Sequence, residues 1–233
     1  MRQLLTGLAL SIALLSPLSA QADVTPYKAT YASEFDIGIA MSGELTRSLR
    51  KTSDGQWLFS TLAEAMVASI KENTTVTFSG NQVTPQTYLY KRKVLGKTRE
   101  ATLTFDWENT RVTNNVEKKP WTMDIPQGTQ DKLSYQLQMR LDLMAGKKGP
   151  LSYQIADGGR LKTYDFNIIG TEMISAPMGE FEAIKVEMDR GTGAKRETYI
   201  WFAPALDYII VQLNQTEPDG KTYSLQLKSL ETE

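Results

Sequence analysis

Apolar and polar residues alternate along most of the chain after its first two dozen residues. In the segment 27–37, for example, Tyr27, Tyr31 and Phe35 alternate with Lys28 and Glu34. A period of two is typical of strands that have one buried face and one solvated face. The same pattern recurs around residues 39–49, 57–59, 76–78, 88–90, 101–107, 112, 121–125, 151–155, 161–169, 180–188 and 223–227, and the mainly apolar segments 199–202 and 207–213 predict two further strands. The sequence therefore predicts roughly a dozen strands.

Short turns separate these segments. Typical hairpin sequences occur at Asp54-Gly55, Asp157-Gly158-Gly159 and Asp219-Gly220. Aspartate and glycine favour such turns because they accept positive φ angles, and Gly38 predicts a further turn or bulge. Strands joined by short turns pair antiparallel. We therefore expect an all-β fold, a single highly curved antiparallel sheet or partly open barrel, in one domain over residues 23–233.

One segment departs from the period of two. Its apolar positions, spaced by four, four and three residues, are Leu133, Leu137, Leu141 and Met144. This spacing predicts one amphipathic helix from Thr129 to Ala145. Thr129 or Asp131 can cap its start, and Gly146 is a suitable end. Two interpretations are open: the helix covers the mouth of a curved sheet, or it packs on the core as an ordinary helix.

Two further predictions concern irregular strands. Residues 62–71 fit neither period, and the short spacing to the flanking strands favours a continued, bulged strand there. In residues 180–188 the apolar phase shifts between Phe181 and Ile184. Such a shift predicts a β-bulge near Ala183.

Residues 1–22 have the features of a secretory signal peptide. Arg2 supplies the charged start, the run from Leu4 to Leu15 is almost wholly apolar, and Ala20-Gln21-Ala22 fits a cleavage site. The apolar run is shorter than the roughly 20 residues that a membrane-spanning helix needs. A lipid anchor at the cleavage site would need a cysteine, and the chain has none. We therefore expect a protein of the Gram-negative periplasm with no stable membrane anchor after cleavage.

Composition narrows the possible chemistry. The chain has no cysteine and no histidine, which removes disulfides, thiolate nucleophiles, histidine acid–base catalysis and the two commonest zinc ligands. It has 26 lysine and arginine residues against 27 aspartate and glutamate residues, a net charge of −1. This balance indicates no nucleic-acid partner. We expect no metal and no cofactor.

Carboxylates remain as candidate catalytic groups. They include Glu34, Asp36, Glu44, Glu64 and Glu72. A glycosidase needs two carboxylates facing each other across a cleft, and nothing in the sequence pairs these. We therefore expect a protein that is not an enzyme, with a carboxylate-dependent envelope hydrolase as an alternative.

Several pieces of the mature chain are recognisable. They are Tyr27-Lys28-Ala29-Thr30-Tyr31, Gly179-Glu180-Phe181-Glu182-Ala183-Ile184-Lys185-Val186, Tyr199-Ile200-Trp201-Phe202-Ala203-Pro204, Asp207-Tyr208 and Gly220-Lys221-Thr222-Tyr223. Together they resemble a family of exported bacterial proteins, domain of unknown function 3108 (DUF3108). The resemblance implies export and an all-β, single-domain shape, and it transfers no catalytic residue. In architecture the chain is also similar to periplasmic lipoprotein carriers and related lipid-binding half barrels.

The aromatic residues of the strands are the candidate ligand-binding residues. They are Tyr31, Phe35, Trp57, Phe59, Phe78, Phe105, Trp107 and Trp201. Because they are in phase with their apolar neighbours, many should point toward one interior, where they either fill a small closed sheet or line a cavity. The densest basic run, Lys91-Arg92-Lys93 with Lys97 and Arg99, either attracts lipid phosphates or is a solvated hairpin end.

These features support a periplasmic, non-enzymatic protein that binds or escorts an apolar or lipid-like ligand. This hypothesis predicts a continuous apolar groove on the curved sheet. The principal alternative is a cell-envelope scaffold that holds a protein partner through sheet edges or through the Trp201–Pro204 region.

Overall fold

A computed structural model of the chain describes residues 24–36, 40–65 and 68–232. Within these ranges, strands form one antiparallel sheet that is not closed into a barrel. This confirms the predicted fold class. The strands are β1 (Tyr27–Asp36), β2 (Ala40–Lys51), β3 (Trp57–Ala65), β4 (Ala68–Ser79), β5 (Gln82–Val94), β6 (Lys97–Asp106), β7 (Arg111–Val116), β8 (Lys119–Asp124), β9 (Leu151–Asp157), β10 (Arg160–Ala176), β11 (Gly179–Asp189), β12 (Glu197–Ala203), β13 (Ile209–Thr216) and β14 (Thr222–Thr232). The helix α1 spans Ser134–Met144, and a short 3-10 helix spans Pro204–Leu206.

The strands lie in the sheet in nearly the order of the sequence. From one edge to the other they run β8-β7-β6-β5-β4-β3-β2-β1-β14-β13-β12-β11-β10-β9. The first and last strands, β1 and β14, pair at the centre. The connection that contains α1 joins the two edge strands, β8 and β9. Both halves are therefore meanders of hairpins, as the short turns predicted.

The gap between the two edge strands is a seam that the chain around Gln130 fills. Gln130 forms a parallel bridge with Ile155 of β9. Its N–H donates to the carbonyl of Gln154 at 2.8 Å, and the N–H of Ala156 donates to its carbonyl at 2.9 Å. Its side-chain Nε2 donates to the carbonyl of Val83 in β5 at 2.8 Å. A single glutamine thus joins the two halves where strand pairing stops.

The helix α1 lies on one face of the sheet, which we call the inner face. Arg47 of β2 points from this face and donates from Nη1 to Oε1 of Gln136 at 2.7 Å. The helix is buried around most of its circumference, at Leu137, Met139, Arg140, Leu141, Asp142 and Leu143. A single apolar stripe is therefore an incomplete description, because the curved sheet encloses the helix. Of the two interpretations of the helix, packing in the core accounts for this burial.

Asp131 caps α1, although the helix begins at Ser134 and not at the predicted Thr129. Its Oδ1 accepts from the N–H groups of Leu133 and Ser134, both at 2.8 Å. These N–H groups belong to the first helical turn and have no acceptor within the helix itself. The start is later than predicted because the backbone of Gln130 is committed to the bridge with β9. At the other end, Gly146 has a φ of 76°, as a glycine terminator requires.

Two strand predictions are wrong. Residues 62–71 do not form one continued strand, because β3 ends at Ala65 and pairs antiparallel with β4 from Ala68 onwards. The predicted bulge near Ala183 is also misplaced. The register shift falls between Ile168 and Gly170 on the partner strand β10, so the extra residue is opposite β11 and not within it.

The predicted signal peptide of residues 1–22 and the Gly38 turn lie outside the described residues. Among the residues that are described, no helix is long and apolar enough to cross a membrane.

Candidate functional site

Most of the eight predicted ligand-binding rings form the core and do not line an open groove. Tyr31, Phe59, Trp57 and Phe105 are buried. Phe78 and Trp107 are partly buried against the core. Trp57 meets Phe78 edge-on with centroids 5.5 Å apart, and Phe105 stacks on Trp107 at 5.4 Å. Phe35 lies in β1, and its side chain is outside the described part of the structure.

Trp201 does not join the other rings. Ile200 faces Val186 and Leu213 in register, so the next residue, Trp201, points to the opposite, outer face. There it is only 4% exposed, and its Nε1 donates to Oε1 of Glu172 at 2.6 Å. The expectation that it shares the interior is wrong because four consecutive apolar residues, 199–202, hide the strand period.

The helix α1 occupies the place where the apolar groove was expected. Beside Tyr31, Phe59 and Leu137, the free space between helix and sheet amounts to about 10 Å³. This is about the volume that one water molecule needs. The rings of this region are therefore packing residues in the structure described here.

A larger cavity lies at the seam between the two halves of the sheet. Its volume is about 220 Å³. Tyr88, Tyr90, Ala101, Leu103 and Val116 supply its apolar wall from β5, β6 and β7. The opposite wall comes from Lys132, Ala156, Asp157 and Gly158. Because β8 and β9 do not pair, this cavity lies where the barrel remains open. We call it the seam cavity.

Tyr88 anchors the buried side of the seam cavity. Its hydroxyl donates to Oε1 of Glu72 at 2.6 Å. Burial and the neighbouring Glu72 carboxylate raise the pKa of Tyr88, so the phenol stays protonated and remains a donor. This bond fixes the ring of Tyr88 against the inner face.

Asp157 organises the opposite wall. Its carboxylate lies 2.6 Å from Nζ of Lys162 and 3.8 Å from Nζ of Lys132. Lys132 also lies 5.8 Å above the ring centre of Tyr90, a cation–π geometry. Lys132 thus spans the cavity from one wall to the other, between a carboxylate and an aromatic ring.

Asn114 presents an unsatisfied donor in this cavity. The residue is 3% exposed, and its Oδ1 accepts from the N–H of Gly159 at 3.2 Å. Its Nδ2 is buried and has no protein partner. A buried amide N–H without an acceptor costs free energy, so this atom is suited to a ligand oxygen.

The predicted basic run reaches the mouth of the seam cavity. Arg92 and Arg99 face each other across β5 and β6, and Arg99 lines the cavity. By strand alternation they share the face of Tyr90 and Ala101. Among the ion pairs of the described residues, Lys91–Glu100 at 3.3 Å neutralises one lysine of this hairpin, and none involves Arg92 or Arg99. Both arginines are exposed, so the repulsion between these two like charges in register is reduced by solvent.

A second, open depression of about 460 Å³ lies beside α1. Its lining is mainly polar and includes Gln82, Gln130, Gln138, Asp142 and Lys147. Asp142 is already bonded there to Tyr153 and Lys147. Among the described residues, no group of three or more Asp or Glu side chains could hold a metal ion.

Sequence analysis identified Arg99 but missed the other polar residues of the seam cavity. Asn114, Lys132 and Asp157 are far apart in the sequence and meet only because α1 returns the chain to β9. The Asp157-Gly158-Gly159 turn was recognised as a hairpin. Nothing in its sequence indicates that it closes a cavity across the seam.

The fold and the cavity define a curved single-sheet β protein with an enclosed helix and an unclosed seam. The chain belongs to the family described as protein of unknown function (DUF3108), whose model matches residues 26–228. This confirms the resemblance seen in the sequence. No curated protein matches the chain.

A solved structure shows the same fold. The chain is similar to the β-barrel-like protein of domain of unknown function DUF1849 from Brucella abortus, with a TM-score of 0.61 and 13% identity over 90% of this chain and 98% of that chain. The complex of MucA and MucB from Pseudomonas aeruginosa also matches, with 9% identity over 90% of this chain and 89% of that chain. Its TM-score is 0.18. The first similarity establishes the fold, and a fold alone does not define a function.

Proposed function

We propose that this protein is a non-enzymatic binding protein of the periplasm that takes up an anionic amphiphile in the seam cavity. The main support is that Arg99 lines a cavity with an apolar wall and faces a second arginine, Arg92, on the neighbouring strand. An anionic head group would lie between the arginines, and the apolar part would contact Tyr88, Tyr90 and Leu103. This keeps the class of ligand expected from the sequence and moves its site away from the buried rings.

The volume of the cavity limits what can bind. At about 220 Å³, it is smaller than the roughly 300–1,000 Å³ of pockets that enclose a drug-sized molecule. A ligand would therefore be enclosed only in part, with the rest of its chain lying along the surface. Trp121, which is 51% exposed, packs beside Gly159 at the same seam and offers an apolar surface for that exposed part.

The experiment is calorimetric titration of the mature chain with three probes that share a chain length. The probes are dodecanoate and dodecyltrimethylammonium, each below its critical micelle concentration, and dodecanol below its solubility limit. We expect dodecanoate to bind most tightly, because only it can neutralise the two arginines. Equal affinity for all three probes would contradict an anion-selective site.

Matched variants test the location. Arg99→Gln should weaken dodecanoate binding by about tenfold, the effect of one charge-assisted hydrogen bond. Ala101→Trp should abolish binding by filling the cavity. Arg50→Gln and Ala194→Trp, which change exposed residues elsewhere, should leave the affinity unchanged. Binding that survives Ala101→Trp would place the ligand outside the seam cavity.

The scaffold alternative has less support at the place predicted for it. Trp201, Phe202 and Ala203 are 4%, 1% and 0% exposed, so their side chains are not accessible to a partner in this conformation. In the Trp201–Pro204 region only Pro204 is exposed.

A further inference from the structure

Two arginines are enclosed in the core between α1 and the sheet. Arg47 of β2 is 6% exposed and Arg140 of α1 is 5% exposed. Both line the small cavity of about 10 Å³ beside Tyr27 and Tyr31. Fully enclosed arginines are rare unless an anion pairs with them. This cavity shares no lining residue with the seam cavity.

The protein satisfies these two guanidinium groups only in part. Arg47 donates from Nη1 to Oε1 of Gln136 at 2.7 Å, and Arg140 donates from Nε to the carbonyl of Asp207 at 2.7 Å. The Nε of Arg47 and the Nη1 of Arg140 are buried and have no protein partner. Each arginine therefore retains an unused donor inside the core.

The hydrogen-bond partners of the two arginines supply no negative charge. These acceptors are a side-chain amide and a backbone carbonyl, and no ion pair of the described residues includes Arg47 or Arg140. The guanidinium groups lie 5.9 Å and 5.2 Å from the ring centres of Tyr31 and Tyr27. Burial raises the pKa of both tyrosines, so they remain neutral phenols. Arginine itself does not deprotonate in proteins.

The backbone next to this cavity is held in an unfavourable conformation. Asp207 and Tyr208 have φ angles of 50° and 58°, in the left-handed region that non-glycine residues seldom adopt. The conformation directs the carbonyl of Asp207 to Arg140 and brings Tyr208 to the cavity wall. Strain of this kind is concentrated at ligand sites.

We propose that the cavity between Arg47 and Arg140 binds a single monatomic anion of the halide class, with chloride as the physiological ligand. A halide would accept hydrogen bonds from the unused donors and neutralise part of the enclosed charge. A volume of about 10 Å³ has no room for a phosphate or a carboxylate. A water molecule would fit, but it would leave both charges uncompensated.

The test compares thermal unfolding of the mature chain in sodium chloride and in sodium gluconate at the same ionic strength. Gluconate is too large for the cavity. Above the dissociation constant, each tenfold increase in chloride should raise Tm by about 3–5 °C. Arg47→Met and Arg140→Met should remove the chloride-specific shift, whereas Arg50→Met, which changes an exposed residue of the same strand, should retain it.

Crystals of the natural sequence grown or soaked in bromide provide a readout that does not depend on the variants folding. An anomalous peak in contact with both guanidinium groups supports the proposal. A cavity that contains only water, or is empty, at high bromide concentration overturns it, whatever the thermal data show.

Discussion

The indole Nε1 of Trp201 donates a hydrogen bond of 2.6 Å to the carboxylate of Glu172, and this bond joins two layers of the same sheet. The β10–β11 hairpin pairs with β12 only from Ile184 to Glu187. Beyond that point it lies over the outer face, where the N–H of Met178 donates to the carbonyl of Leu227 at 3.0 Å. Trp201 is buried because this hairpin covers it.

Removing the donor from Trp201 should loosen the hairpin. Trp201→Phe keeps an aromatic ring and leaves Glu172 without its bond to the indole. The free energy of unfolding should fall by about 1 kcal/mol, because the Glu172 side chain is 45% exposed and water can replace the lost donor. Urea denaturation measures this change. Glu172 keeps its ion pair with Lys185, whose Nζ lies 3.4 Å from its carboxylate. This ion pair should limit the loss of stability.

Glu180→Gln, an exposed change on the same hairpin, is the control and should alter stability by less than about 0.5 kcal/mol. Equal effects of the two substitutions would mean that the bond does not hold the hairpin.

The buried cap of α1 should make stability depend on pH. Burial raises the pKa of Asp131 to about 6, even though Thr74 and the N–H groups of Leu133 and Ser134 bond its carboxylate and act in the opposite direction. The folded protein therefore holds this proton more tightly than the unfolded chain, whose aspartate pKa is about 3.9. The protonated Asp131 carboxyl therefore stabilises the folded protein. This contribution to the free energy of unfolding is fully present below about pH 4 and is lost as the pH rises to about 6.

Asp131→Asn should remove this component from the pH dependence of the unfolding free energy. The affected component is on the order of 3 kcal/mol between pH 4 and 6, at about 1.4 kcal/mol per pKa unit. Chemical denaturation at a series of pH values measures it. Glu34→Gln, at an exposed carboxylate of β1, should leave the profile unchanged. Parallel profiles for the natural protein and Asp131→Asn would contradict the prediction.

The sheet could be predicted from the sequence because its faces differ in polarity. Alternation located the strands, and short aspartate–glycine turns gave their antiparallel order. The alternation does not show which side chains face the helix where every residue of a strand is apolar. Residues 199–202 are all apolar, so the sequence does not show that Ile200 and Phe202 face α1 while Trp201 faces the hairpin.

The candidate site was less predictable for a similar reason. The apolar stripe of α1 indicated a helix with one buried face, but a sheet that curves around the helix also buries Arg140 and Asp142. Polar residues on a predicted solvent face thus became core residues. Asn114 and Lys132 approach one another only across the seam, a contact that no local period encodes.

The helix should be a principal source of stability, because it fills the inner face. Leu141 is 1% exposed, and Leu141→Ala should lower the free energy of unfolding by about 2–5 kcal/mol through lost burial and the cavity left behind. Thermal or urea denaturation measures this. Leu161→Ala is the control, since Leu161 is 39% exposed, and it should cost much less. A small effect at Leu141 would indicate that α1 is a weakly attached cover.

The Asp157-Gly158-Gly159 turn at the seam cavity offers a paired test of close packing. Gly158 and Gly159 both have positive φ angles, of 60° and 74°, so an alanine at either position is strained by about 1 kcal/mol. A Cβ at Gly158 meets nothing within 4 Å, whereas a Cβ at Gly159 lies 3.2 Å from the ring of Trp121. Gly159→Ala should therefore destabilise the protein by about 1 kcal/mol more than Gly158→Ala.

Gly159→Ala should also move the indole N–H resonance of Trp121, because the ring must shift to admit the new methyl group. Gly158→Ala should leave that resonance in place. Since Trp121 lies at the edge of the seam, the displaced ring should also weaken dodecanoate binding in Gly159→Ala. If both variants show the same unfolding free energy and the same Trp121 resonance, the ring does not rest on Gly159, and the proposed surface for the exposed part of the ligand is lost.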